Sequence, residues 1–127
     1  MAVGLATTTL ANNWLNMLRA VAFVAPPATY IKLHTADPGA AGATAASVVT
    51  TRQLATFSAA ASGAIALSNA PAFTMTATET ITHISVWDAV TVGNLLWTAA
   101  LTTAKAVVNT DTLTFSTVGV SLTPLAA

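Results

Sequence analysis

At Pro26-Pro27 the spacing of apolar residues changes, and that change constrains the fold more than any other feature of the chain. Before the prolines, Leu10, Trp14, Met17 and Leu18 fall at i, i+4, i+7 and i+8, one stripe at helical period. Two consecutive prolines end a helix, because each lacks a backbone N–H and restricts the residue before it. After them the period falls to two. Tyr30, Lys32 and His34 alternate with Ile31 and Leu33, as on a strand with one buried face. The sequence therefore predicts an α-helix over Thr9 to Ala20, within a helical segment spanning residues 1–25. Thr7 to Thr9 supply its N-cap, Asn12, Asn13 and Asn16 its polar face, and Arg19 a cation near its C-terminal end. A β-rich body over residues 28–123 follows, in a single domain of 127 residues.

The body reads as short strands separated by turns. Asp37-Pro38-Gly39 is a turn in which Asp bonds its own backbone, Pro presets φ and Gly accepts positive φ. Residues 40–51 form a small-residue loop, with Ser47 to Val49 beside a sheet edge. Strands follow at Arg52 to Phe57 and Ala64 to Asn69, with a brief one at Phe73 to Thr76. Ile81 to Trp87 is rich in β-branched and aromatic residues, and Asp88 to Asn94 is its turn. Leu95 to Thr102 comes next, then a hairpin of Lys105 to Val108 and Thr112 to Ser116 about Asn109-Thr110-Asp111, then Val118, Val120 and Leu122. Turn signals at this density predict a mainly β protein, an antiparallel β-sandwich of jelly-roll-like type preceded by one N-terminal α-helix.

Composition narrows the function classes. Only 6% of the residues are charged, four Lys/Arg against four Asp/Glu, where ordinary soluble domains carry about 25%. Four scattered cations make no footprint for nucleic acid. Every apolar run is interrupted by Thr, Ser, Asn or a charge, so no membrane insertion is expected. No cationic start precedes an apolar core at the amino terminus, so no signal peptide is expected. Cysteine is absent, which removes disulfides, thiolate metal sites and cysteine nucleophiles. With 29 Ala and 23 Thr, the surface must be largely uncharged, and such a surface suits contact with protein, including copies of the same chain.

Candidate chemistry is sparse, since the chain holds two His, three Asp and one Glu. His34 and Asp37 read as a strand-edge His beside a turn-forming Asp, two ligands short of a metal site. His83, Ser85 and Asp88 nominally compose a catalytic triad, but no nucleophile elbow accompanies them; the simpler reading ties a strand to its turn. Arg52 and Glu79 read as partners in surface or inter-subunit ion pairs. Trp14, Trp87, Trp97 and Tyr30 are candidate anchors of a core or an interface, with ligand stacking the lesser reading for the tryptophans. The expectation is a protein without catalytic residues, metal or cofactor.

Three ordered segments carry a resemblance. Tyr30 to Gly42 (YIKLHTADPGAAG), Thr51 to Gly63 (TRQ…FSAAASG) and Ile81 to Trp97 (ITHISVWDA…GNLLW) resemble a family of small structural proteins of tailed bacteriophages. These are often labelled tail fibre or minor virion protein. Its pattern residues here are His34, Asp37, Pro38, Gly39, Arg52, His83, Asp88, Gly93 and Asn94. Val92 and Thr110 stand where the family pattern has turn glycines. The resemblance implies a non-enzymatic virion component, made in the bacterial host cytoplasm. Its partners would be copies of itself, with a homotrimer expected, and other virion proteins, either the major capsid protein or tail proteins. Three functions stay open. The first is a capsid decoration or minor capsid (cement) protein bound in many copies on the particle exterior. The second is a tail-fibre or minor tail module for host attachment, with a cell-surface glycan as a further partner. The third and most remote is a small hydrolase.

Overall fold

A computed structural model describes residues 3–126. Its helical part runs without a break from Thr7 to Arg19, but in three geometries: a π turn over Thr7–Ala11, α1 over Asn12–Asn16 and a 3₁₀ turn over Met17–Arg19. The expected threonine cap is not used. Ala6 precedes the first turn and no side chain caps it, because the Thr9 hydroxyl donates instead to the Leu95 carbonyl. The apolar stripe is half used as well. Leu10 is buried and Trp14 packs against the core, whereas Met17 and Leu18 stand 54% and 87% exposed.

Eight strands follow: β1 (Thr29–His34), β2 (Gln53–Ala55), β3 (Ala64–Ala66), β4 (Ala72–Thr74), β5 (Glu79–Trp87), β6 (Leu95–Val107), β7 (Thr112–Thr114) and β8 (Gly119–Ser121). A four-stranded antiparallel sheet has the order β2-β1-β5-β6, while β3 pairs with β8 and β4 with β7. From Ala64 to Ser121 the pairs are nested. Ala64 faces Ser121, Ala72 faces Thr114, Glu79 faces Val107 and Ile84 faces Ala99, so the chain doubles back on itself about the 88–94 turn. This winding, with the β4-β7 and β3-β8 ribbons packed over the four-stranded sheet, gives the sandwich its jelly-roll-like character.

The expected hairpin about Asn109-Thr110-Asp111 does not form. Strand β6 continues through Lys105 to Val107 as the partner of β5, and β7 pairs with β4. Residues 108–111 make a corner between sheets: the Asp111 N–H bonds the Val108 carbonyl, and Met75 exchanges backbone bonds with Thr110 and Asp111. What the sequence reads as two strands is one, because a bulge lies inside it. Between the pairs Ile81↔Lys105 and His83↔Ala100, β5 advances two residues and β6 five, leaving three extra residues on β6.

The core lies between the layers. Ile31, Leu33, Ile84, Val86 and Trp97 project from the sheet toward Phe73, Met75, Leu113 and Phe115 on the β4-β7 side. Phe73 and Phe115 meet edge to face at 6.0 Å, and Trp97 meets Phe57 at 5.8 Å. The outer edge of β6 is covered by residues 4–6, through Ala6 N–H to the Leu96 carbonyl (2.8 Å) and Thr98 N–H to the Gly4 carbonyl (2.9 Å).

Candidate functional site

The opposite face of the sheet carries Tyr30, Lys32 and His34 from β1 and His83, Ser85 and Trp87 from β5, since their partners are in register across the two strands. The loop after β1 folds back over this face. Pro38 is fully buried, and Gly42, at φ +65°, fits so closely that a Cβ there would lie 2.7 Å from a Leu95 methyl and 3.1 Å from the Trp87 ring. Only glycine meets both demands at that position.

Beneath the loop, His34 and Ser85 are both fully buried. His34 Nδ1 lies 2.8 Å from the Thr44 carbonyl, and its Nε2 2.7 Å from Ser85 Oγ. A carbonyl only accepts, so Nδ1 carries the proton and bare Nε2 accepts from the Ser85 hydroxyl. Ser85 Oγ in turn accepts the Trp87 indole N–H at 2.8 Å. Burial pushes the His34 imidazole below its usual pKa, against the raising effect of the Thr44 carbonyl. The expected strand-edge histidine is thus an interior one, on a strand with neighbours on both sides.

The chain of contacts continues outward. The Arg52 guanidinium sits over the Trp87 ring, 4.1 Å from its centroid, and its Nη1 donates to the carbonyls of Ala89 and Val92, each at 2.7 Å. Burial lowers the Arg52 pKa and nearby Asp88 works in the other direction. Asp88 closes the same loop: its carboxylate accepts from the Asn94 backbone N–H at 2.6 Å and from the Asn94 side chain at 2.9 Å. Gly93, at φ +72°, is held so near that a Cβ would lie 2.4 Å from Asp88 Oδ1. On the other side, Thr44 donates to the Asp37 carbonyl, and the Gly39 N–H donates to the Asp37 side chain at 2.8 Å.

Most of the residues carrying the resemblance therefore converge. His34, Asp37, Pro38, Gly39, Arg52, Asp88, Gly93 and Asn94 all belong to one network that fastens two loops to one sheet face. His83 takes a separate contact, between its Nδ1 and the Thr82 hydroxyl at 2.8 Å. The nominal triad is not assembled, because His83, Ser85 and Asp88 turn to Thr82, to His34 and Trp87, and to Asn94 respectively. The Ser85–His34 pair has the polarity of a nucleophile and its base, yet both side chains lack exposed surface and the third member is a carbonyl. Its chemistry is that of a satisfied interior network.

Two further expectations change. Arg52 and Glu79 hold loop backbone. The Glu79 carboxylate accepts from the Ser47 hydroxyl and from the Val48 N–H, pinning the segment beside β1. Of the tryptophans, Trp97 is 6% exposed with its indole N–H unpaired, Trp87 lies under Arg52, and Trp14 is half-buried; Tyr30 is half-buried on β1. None of the three indoles forms an open stacking platform. Sequence reasoning missed the roles of Ser85, Thr44 and Glu79, because partners 51, 10 and 32 residues away leave no spacing signal.

Among the described residues there is no group of three or more His, Asp or Glu that could hold a metal ion, and no helix long and apolar enough to cross a membrane. An open concavity of about 560 Å³ lies beside the β6 bulge. Leu101, Leu113 and Phe115 line it together with the hydroxyl side chains of Thr102, Thr103 and Ser116. No curated protein matches the chain. A protein-family model described as "Podophage GP4 fiber I protein gp80" matches residues 5–123, which spans the helical run, both loops of the network and all eight strands. The chain therefore belongs to the podophage GP4 fiber I protein gp80 family, a family of phage structural proteins.

Proposed function

We propose that this protein is a non-enzymatic fibre subunit of a podophage virion that takes part in attachment to the host. The observation that carries this reading is the fibre-family match over residues 5–123. The site's geometry supports it. The residues with catalytic potential are spent on holding loops, as in a rigid presenting scaffold. The groove beside the β6 bulge, lined by threonines, Ser116 and Lys105 together with Leu101, Leu113 and Phe115, has the mixed polar and apolar character that suits sugar contact.

The test is a count and a location. Quantitative mass spectrometry of purified virions gives copies per particle, and antibody-labelled electron microscopy gives position. Tens of copies at the tail support the fibre reading. Hundreds distributed over the shell replace it with the decoration reading. Purified protein added in excess before infection slows adsorption if the chain itself meets the host surface.

A further inference from the structure

The groove beside the β6 bulge gathers polar side chains that the fold itself does not use. One side of it is the bulge: the three extra residues of β6 lie between Ala100 and Lys105, and Thr102, Thr103 and Lys105 line the groove together. The other side runs from Leu113 on β7 to Gly119 at the start of β8. Lys105 is the single charged residue of the lining. Among the described residues neither it nor the side chains of Thr102, Thr103, Ser116 and Thr117 form a hydrogen bond or ion pair. The acidic side chains are engaged elsewhere. Asp37, Glu79, Asp88 and Asp111 accept from the backbone N–H groups of Gly39, Val48, Asn94 and Val108, and none of the four lines the groove.

We propose that this groove binds a hexuronic acid unit of a cell-surface polysaccharide, with the sugar carboxylate on Lys105. The inference rests on the attachment reading above and names the class of glycan. Charge sets the sign of the ligand. An ammonium group with no carboxylate in the same lining attracts an anion, and a single ammonium matches the single charge of a uronate. Phosphate carries up to two charges and is commonly held by arginine forks or a helix N-terminus. The groove contains neither, since its lining comes from strands and their connections and includes no arginine.

The remaining lining matches the remainder of the sugar. Threonine and serine hydroxyls both donate and accept, so they pair with ring hydroxyls of either polarity. A pyranose ring also has an apolar C–H face, and Leu101, Leu113 and Phe115 supply apolar surface beside those hydroxyls. The volume, about 560 Å³, falls within the range of small-ligand sites and leaves room for neighbouring units of the polymer. An uncharged glycan would make the same hydroxyl and C–H contacts but leave Lys105 unpaired. The ammonium group is therefore what separates the two classes of sugar.

The test titrates the purified full chain with trigalacturonate, and with the same trisaccharide after its carboxyls are reduced to alcohols, by saturation-transfer NMR. At low salt the acid binds about two- to fivefold tighter, as one ion pair at an exposed lysine gives, and roughly 1 M salt closes the gap. Lys105→Gln removes the preference and keeps the weaker binding of the reduced sugar. Thr103→Val weakens both sugars by about threefold. Arg19→Gln, at an exposed cation of the helical run, changes neither. All three positions are exposed, so melting stays that of the wild type. Absence of binding, equal affinity for acid and alcohol, a preference that survives Lys105→Gln, or glucose 1-phosphate binding tighter than glucuronate overturns the proposal. Selective binding through Lys105 by a protein that does not slow adsorption supports the groove assignment and overturns the attachment reading; slowed adsorption with equal affinity for the two sugars does the reverse.

Discussion

Ser85→Ala is the sharpest probe of the interior network. Ser85 Oγ accepts the Trp87 indole N–H at 2.8 Å and donates to His34 Nε2 at 2.7 Å, inside a region where Ser85 and His34 have no exposed surface. Alanine removes both bonds and admits no replacement. The stranded His34 nitrogen costs about 1–3 kcal/mol, and the lost Trp87 bond, on a half-buried ring, about 1 kcal/mol more. The sum, about 2–4 kcal/mol, is a large share of the 5–15 kcal/mol that holds a typical domain together. In melting temperature it amounts to a fall on the order of 10 °C. Urea unfolding followed by circular dichroism measures the loss as a lower midpoint at unchanged slope. A double-mutant cycle with His34→Ala then gives a coupling of about 1 kcal/mol or more between the two side chains. A scaffold serine and a catalytic serine part company here, since an active-site group is commonly neutral or costly to stability. A penalty below about 0.5 kcal/mol, or additive single substitutions, would refute the scaffold argument.

Three other perturbations test separate parts of the structure. Val92→Gly removes left-handed strain of about 1–2 kcal/mol at φ +56° and adds about 0.4–1 kcal/mol of unfolded-state entropy, so the monomer gains about 0.5–1 kcal/mol; a lower urea midpoint for the glycine variant contradicts this. His34 is held below its ordinary 6.5, so the unfolded chain binds that proton more readily than the folded one. Its contribution is complete above about pH 6.5 and is lost as pH falls through the lowered folded value; the matching stability loss should vanish in His34→Asn. Arg52→Ala removes two bonds to the tip loop and the cover over Trp87, so limited proteolysis between Ala89 and Gly93 quickens while the strands stay protected.

Legibility in the sequence followed the range of the interactions. The change of period at Pro26-Pro27 places the helix and β1 within two residues of where they lie, because periodicity is local. Asp37-Pro38-Gly39 and Asp88 to Asn94 are turns for equally local reasons, and both contain side chains bonding to backbone close by. The β6 bulge was not legible. The sequence reading breaks the strand at residues 103–104, and only pairing with β5 shows one strand carrying three extra residues. The 109–111 turn misled for a related reason: a tight turn specifies reversal locally, but β4, some forty residues earlier, captures β7. In the site, residue types pointed to the right region while partners were misassigned. His34 and Ser85 meet across adjacent strands, and strand adjacency is set by the whole sheet.

The nested pairing also orders events in time. Asp88 and Asn94 are six residues apart and close cheaply, whereas Ala64 must find Ser121 across most of the ribbon. Zippering outward from the tip is then the fastest route, with β3-β8 the last pair to seal. During synthesis the consequence is sharper. Strand β1 leaves the ribosome some fifty residues ahead of β5, the neighbour that completes its place in the sheet. Ile31 and Leu33 wait uncovered through that interval, on a nascent chain with almost no charge to keep its copies apart. Slower translation lengthens that exposure, and lower temperature weakens the hydrophobic association that would exploit it. Yield of folded protein is therefore governed by how soon residues 79–107 arrive.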